Sequence, residues 1–145
     1  MCAAIGGGME VSMKELIIDA SIDKLDDVLD FVNEVLEASD CNRKVINQIN
    51  IAVEEIFVNI AHYAYNPEIG GAVIRIKVSD EVLIEFEDKG KAYNPLLKID
   101  PDITKNAEER DVGGLGIFMV KKIMDSVEYN HTDNKNILTI RKVLV

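Results

Sequence analysis

Glu55 and Asn59 stand four residues apart in a stretch, 43–65, whose apolar residues recur at helical spacing. At about 100° per residue, Ile46, Ile49, Val53, Ile56, Phe57, Ile60 and Ala64 share one broad face, while Glu55, Asn59 and His62 stack on the opposite one. Ile51, Ala52 and Val58 flank that second face, so the helix is apolar over most of its circumference. A carboxylate and an amide in such a setting are costly to bury without partners. The plain reading is a solvated polar stripe. The chemical one is a hydrated magnesium ion, with the Asn59 carbonyl as one oxygen ligand, phosphates as others, and Glu55 one turn back to orient or deprotonate an attacking hydroxyl. His62 reads as a surface histidine.

Two glycine segments add to this. Asp88-Lys89-Gly90 ends an alternating run, Val82 to Glu87. Asp followed by Gly is also an ordinary turn. In a site, however, a buried carboxylate can accept from an adenine amine, and a glycine two residues on allows close approach to the backbone. Gly113-Gly114-Leu115-Gly116 precedes a third helix, where exposed amides and the helix N-terminus suit a phosphate. Convenient glycines before a helix are the alternative. No Gly-Lys-Ser/Thr phosphate loop exists, because Gly90-Lys91 continues with Ala92.

The elements that must position these residues follow from periodicity. Lys14 to Ala20 alternates as a strand, with Leu16, Ile18 and Ala20 on one face, and Ser21 is an N-cap candidate for a helix striped by Leu25, Val28, Leu29, Val32 and Leu36. Ser39-Asp40-Cys41-Asn42 breaks it from the helix that carries Glu55. After Gly70-Gly71 a hairpin places Ala72, Ile74, Ile76 and Val78 beside Val82, Ile84 and Phe86, turning at Ser79-Asp80. Lys89 to Asp111 is polar and aperiodic, a length that suggests a functional loop. The third helix offers Leu115, Phe118, Met119 and Ile123 as core contacts. A strand through Val127 and Tyr129, a turn at Asp133-Asn134 and a strand from Ile137 to Leu144 close the sequence. The order β-α-α-β-β-loop-α-β-β predicts an α+β two-layer sandwich, with about three helices on one face of a mostly antiparallel sheet.

Bulk properties bound the function. The chain has 145 residues, 48% apolar, enough for one domain over 13–145 after a leader at 1–12 that includes Gly6-Gly7-Gly8. Its net charge of −10 disfavours nucleic acid but not a local magnesium-nucleotide site. No apolar run is long enough for a bilayer, no signal peptide is visible, and the cytoplasm is the expected compartment. Cys2 and Cys41, His62 and His131 are too scattered for a disulfide framework or a metal cluster.

Glu-xxx-Asn on a helix, Asp-x-Gly after a strand and Gly-Gly-Leu-Gly before a helix, in that order, resemble the GHKL ATPases, and within them the bacterial anti-sigma-factor serine/threonine kinases. The resemblance runs from about Lys14 to Val143. It implies the Bergerat-type ATP-binding fold, with Glu55 as general base and Asn59 as magnesium ligand. Asp88 and Gly90 would form the adenine pocket, and Tyr93-Asn94-Pro95 would begin a lid running to Val112. Gly113, Gly114, Leu115 and Gly116 would wrap the phosphates, Arg110 would reach the γ-phosphate, and Thr139 would support Asp88. Tyr63 departs from the family's common histidine, and Asn94 from a common Asp. Glu54 is a second carboxylate beside the base, pointing about 100° away. ATP and Mg2+ are the implied ligands. An anti-anti-sigma protein is the implied substrate, a sigma factor a second partner, and a homodimer a family-based expectation. The competing readings are a nucleotide-gated binding module without phosphotransfer and a histidine-kinase catalytic domain, the latter disfavoured by the lack of a separate preceding phosphoacceptor histidine.

Overall fold

The computed structural model describes residues 12–65, 68–97 and 114–144. Along the chain it forms strand β1 (Lys14–Asp19), helices α1 (Leu25–Ala38) and α2 (Arg43–Tyr63), strands β2 (Gly71–Val78) and β3 (Glu81–Asp88), helix α3 (Gly114–Ile123), and strands β4 (Ser126–Thr132) and β5 (Lys135–Val143). The strands make one sheet in the order β1-β2-β3-β5-β4, and every pairing is antiparallel. The α+β sandwich expected from the hairpin order is therefore the observed architecture.

Alternation decides which sheet face is covered. Ala72, Ile74, Ile76 and Val78 of β2, Val82, Ile84 and Phe86 of β3, and Leu138 and Ile140 of β5 are buried with the helices. Against them lie Val28, Val32 and Leu36 of α1 and Ile46, Ile49, Val53, Ile56, Phe57 and Ile60 of α2. Each large side chain buried this way contributes roughly 1.5–3 kcal/mol. The opposite sheet face is mixed, with Ile17, Val73, Leu83 and Ile137 among charged residues, and Arg75 there reaches Glu15 at 2.8 Å and Glu87 at 2.9 Å.

Local chemistry sets the helix ends. Asn42 caps α2, its side chain accepting from the Val45 N–H at 2.9 Å. The end of α1 is closed by Asp40 in the left-handed region (φ 58), with the Cys41 and Asp40 amides returning to the Leu36 and Glu37 carbonyls. Asp133 and Asn134 (φ 54 and 62) form the tight β4–β5 turn that twisted hairpins favour.

Three local expectations change. Ser21 precedes a 3-10 turn (Ile22–Lys24), and its hydroxyl donates to the Asp23 carboxylate instead of accepting a backbone N–H; α1 begins only at Leu25. In α3 the inward stripe is Ile117, Val120 and Met124, while Met119 is 39% exposed and Phe118 half-buried. The Leu115 side chain lies outside what is described. On α2, Ile51 is exposed, so the Glu55 face is apolar on one flank only.

Candidate functional site

The C-terminal half of α2 and the ends of three strands line a pocket open to solvent. Ile56, Ile60, Phe86 and Leu138 supply apolar walls, and Asn59, Tyr63, Asp88, Tyr129 and Asn136 supply polar groups. Asp88 is 6% exposed at the end of β3 and on the helix side of the sheet. Its Oδ1 accepts from the Gly90 N–H at 2.9 Å and from Asn136 Nδ2 at 2.9 Å. Among the described residues Oδ2 takes no hydrogen bond, so one carboxylate oxygen is fixed and the other is left for a donor in the pocket.

Gly90 owes its identity to the end of α2. A Cβ there would collide with the Ala64 backbone carbonyl, whose oxygen accepts from the Lys91 N–H at 2.9 Å. Close approach was the reason anticipated for this glycine; within the protein itself, the surface approached is the helix terminus. Tyr65 ties down the same corner: its hydroxyl accepts from the Lys89 N–H and donates to the Gly71 carbonyl, both at 2.7 Å.

A second cavity of about 550 Å³ adjoins the first, lined by Glu55, Val58, Asn59, His62, Tyr63, Gly116 and Ile117. Asn59 and Tyr63 border both spaces. Glu55 is half-buried whereas Glu54 is exposed, which separates the two carboxylates in the direction their spacing on the helix requires. Burial, with repulsion from Glu54 added, pushes the Glu55 carboxyl above its ordinary range. Gly116, in the first turns of α3, faces this carboxylate so closely that a Cβ would overlap Glu55 Oε2. Gly114 opens α3, which places a helix N-terminus beside the cavity. His62 is exposed and meets the Tyr63 ring edge-to-face at 6.0 Å.

Glu55, Asn59, Asp88, Tyr93 and Gly116 are thus brought to two contiguous cavities, whereas Gly90 lines neither and acts behind Asp88, its N–H donating to Oδ1. Asn94 has a different place: its side chain accepts from the Leu96 N–H at 2.9 Å and starts the 3-10 turn Pro95–Leu97, so it shapes the chain beside the pocket and is not among the residues lining it. Thr139 does not support Asp88. Register sets it between Glu85 and Glu128 on the sheet face away from the helices. The residue directly across from Asp88 is Asn136, which takes the supporting position. Arg110, Gly113 and the rest of the expected lid from residue 98 lie outside the described residues, as does the leader before residue 12. Sequence reading missed Asn136 and used Tyr129 only as a strand marker. The Asp133-Asn134 turn sets the β4–β5 register that brings Tyr129 toward Asn136, but the β3–β5 pairing is non-local and carries no short-range signal.

A two-layer α+β sandwich with a pocket beside a buried carboxylate suits a nucleotide-binding class of domain, and comparison with known proteins gives the family. Residues 18–142 match the histidine kinase-like ATPase domain, and the chain belongs to that family. It is 27% identical over 103 residues to proteins named serine-protein kinase RsbW from Bacillus cereus and Bacillus thuringiensis, matching 68% of this chain and 64% of theirs. The chain therefore spans just under two thirds of the length of these relatives. In fold it is similar to the structure of the RsbU and RsbW domains of Rv1364c from Mycobacterium tuberculosis, with a TM-score of 0.67 at 16% identity, covering 92% of this chain and 32% of that one. Among the described residues no helix is long and apolar enough to cross a membrane.

Proposed function

We propose that the chain binds Mg-ATP and transfers its γ-phosphate to a serine or threonine of an anti-anti-sigma-type partner protein. The observation that carries this reading is the half-occupied Asp88 carboxylate: Oδ1 is held by Gly90 and Asn136, Oδ2 takes no hydrogen bond among the described residues, and Asp88 lines an apolar-walled pocket. That arrangement suits the exocyclic amine of adenine, a donor, and disfavours a ring carbonyl at the same place. Asn59, shared by both cavities, stands where a triphosphate leaving the base pocket would pass toward Glu55.

Among the described residues no three acidic, His or Cys side chains converge on a metal. A magnesium ion would therefore be held mostly by phosphate oxygens and water, with the Asn59 carbonyl as a protein ligand, which is its usual mode in phosphoryl transfer. When bound, the ion would screen charge developing on the phosphates. Glu55 would take the proton of the attacking hydroxyl, a role that suits a carboxyl raised by burial. Gly114 and Gly116 would offer close backbone approach to the phosphates, with Gly113, Leu115 and Arg110 completing that end of the site. A sigma factor as second partner, a homodimer and a cytoplasmic location belong to the same reading; the name of the RsbW relatives supports its serine-kinase part.

Labelled ATP, magnesium and the small anti-anti-sigma-type proteins of the same organism test it. The expected result is phosphate on a serine or threonine of one of them, lost in Glu55→Gln while ADP binding persists. Nucleotide binding without transfer to any of them, or full transfer by Glu55→Gln, would refute the kinase assignment. The first outcome would leave a nucleotide-gated binding module.

A further inference from the structure

Asn136 is a buried amide whose hydrogen-bonding positions are used on both sides. It is 7% exposed and lies directly across from Asp88 on β5. Its Nδ2 donates to Asp88 Oδ1 at 2.9 Å and to the Lys91 carbonyl at 2.8 Å. Its Oδ1 accepts from the Tyr129 hydroxyl and from the Tyr93 N–H, the latter at 3.4 Å. These four partners and the Gly90 carbonyl, 3.4 Å from Nδ2, agree with one orientation of the amide, with acceptors on the nitrogen side and donors on the oxygen side. A hydroxyl has one proton to give and a carboxylate has none. Neither can hold Asp88 and the Lys91 carbonyl while also receiving two donors.

We propose that Asn136 is a positioning residue that couples base recognition at Asp88 to the seating of the segment Lys91–Leu97. By occupying Oδ1 it fixes which oxygen of Asp88 faces the pocket. By holding Lys91 and Tyr93 it fixes the chain that forms the pocket's outer wall, where Lys91, Tyr93 and Pro95 are lining residues. A ligand that donates to Asp88 Oδ2 holds the carboxylate in the orientation at which Oδ1 meets Asn136, and so restrains the amide and the chain bonded to it. The segment 91–97 is tightened as a consequence. Tyr129 is the second member of this relay, since its hydroxyl is aimed at Asn136 Oδ1. The inference rests on the adenine-nucleotide reading of the pocket.

The test measures ADP affinity by calorimetry, and hydrogen exchange of residues 91–97 with and without saturating ADP, in the whole chain. Wild type is expected to bind ADP and to slow exchange over 91–97. Asn136→Asp keeps size and acceptor, but its carboxyl and that of Asp88 share at most one proton, so the donation to the Lys91 carbonyl is lost. It is expected to bind ADP about tenfold or more weakly, as disturbed hydrogen bonding at a buried carboxylate implies. When saturated, it is expected to show no ADP-induced protection at 91–93. Tyr129→Phe removes one oxygen atom, opens no cavity and should lie between the two. Exchange in 82–86, on the central strand, reports in the same spectra that each variant is folded. ADP-saturated Asn136→Asp with wild-type protection at 91–93 overturns the coupling while leaving the nucleotide site standing. For a variant too unstable to measure, Tyr129→Phe with wild-type affinity and protection has the same force. A wild-type chain that binds no ADP overturns the nucleotide reading, and this inference with it.

Discussion

A methyl group added at Gly116 would fall on Glu55 Oε2 and stand 3.2 Å from Glu55 Cδ and 3.7 Å from its Cβ. The obstructing atoms are the far end of a flexible side chain, so the carboxylate can swing aside and the helices need not move. Alanine is also favoured over glycine inside a helix by about 1 kcal/mol. Gly116→Ala is therefore expected to keep the unfolding free energy within about 1 kcal/mol of wild type, measured by urea denaturation. The cost falls on chemistry. A carboxylate displaced from its place beside Asn59 no longer reaches the attacking hydroxyl, and loss of a positioned base slows proton transfer by about 10²–10⁴-fold. ADP binding, governed by the Asp88 pocket on the other side of Asn59, should fall far less than transfer does. The three measurements together separate a functional glycine from a packing one. Gly116→Ala with undiminished phosphotransfer would show that the Glu55 carboxylate is not the base. Destabilisation by more than about 3 kcal/mol would show that α2 and α3 cannot accommodate the methyl by moving a side chain, contrary to the geometry.

Other outcomes follow from the same contacts. The Glu55 carboxyl titrates above its ordinary value of 4.5, so the folded chain holds more protons than the unfolded one between the two values. Stability then falls as pH rises through that window, a slope that Glu55→Gln should remove. The acid limb of phosphotransfer should lie above pH 4.5, and Glu54→Gln should move it down by removing the neighbouring charge. Gly90→Ala drives a Cβ into the Ala64 backbone, which has no such freedom, and should destabilise by roughly 1–3 kcal/mol in denaturant melts. Tyr65→Phe removes the group that joins Lys89 to Gly71 and should cost about 1–3 kcal/mol in the same assay.

Much of the fold was legible because its elements are locally consistent. Val28, Val32 and Leu36 repeat at helical spacing, the β2–β3 hairpin alternates without interruption, and Asn42 and Asp133-Asn134 carry the chemistry of a cap and a turn. Of the expected α3 contacts Ile123 does pack against the core, but the rest of the stripe was misread because Ile117 to Val120 is an unbroken apolar run. Periodicity cannot choose a face there, and packing against α2 chose Ile117, Val120 and Met124. In the site, Glu55, Asn59, Asp88, Gly90 and Gly116 were readable as residue types at fixed spacings. Asn136 was not, because its role depends on a strand pairing between residues 48 apart in sequence. Thr139 was the cost of that blindness: a hydroxyl on the right strand, three residues from the position that faces Asp88 and on the other side of the sheet.

Nucleotide recognition depends on Asp88 reading an adenine. Asp88→Asn keeps an Oδ1 acceptor for Gly90 and Asn136 and replaces Oδ2 with an amide NH2, so the fold should persist while a donor meets a donor in the pocket. Losing a hydrogen bond to a charged acceptor costs about 1.5–3 kcal/mol, roughly 10–150-fold in affinity. Titration calorimetry with ADP, comparing wild type with Asp88→Asn, is the direct measurement. Wild type is expected to give heat of binding, and the variant a loss of that order at an unchanged melting temperature. Equal ADP affinity in the two proteins would contradict it.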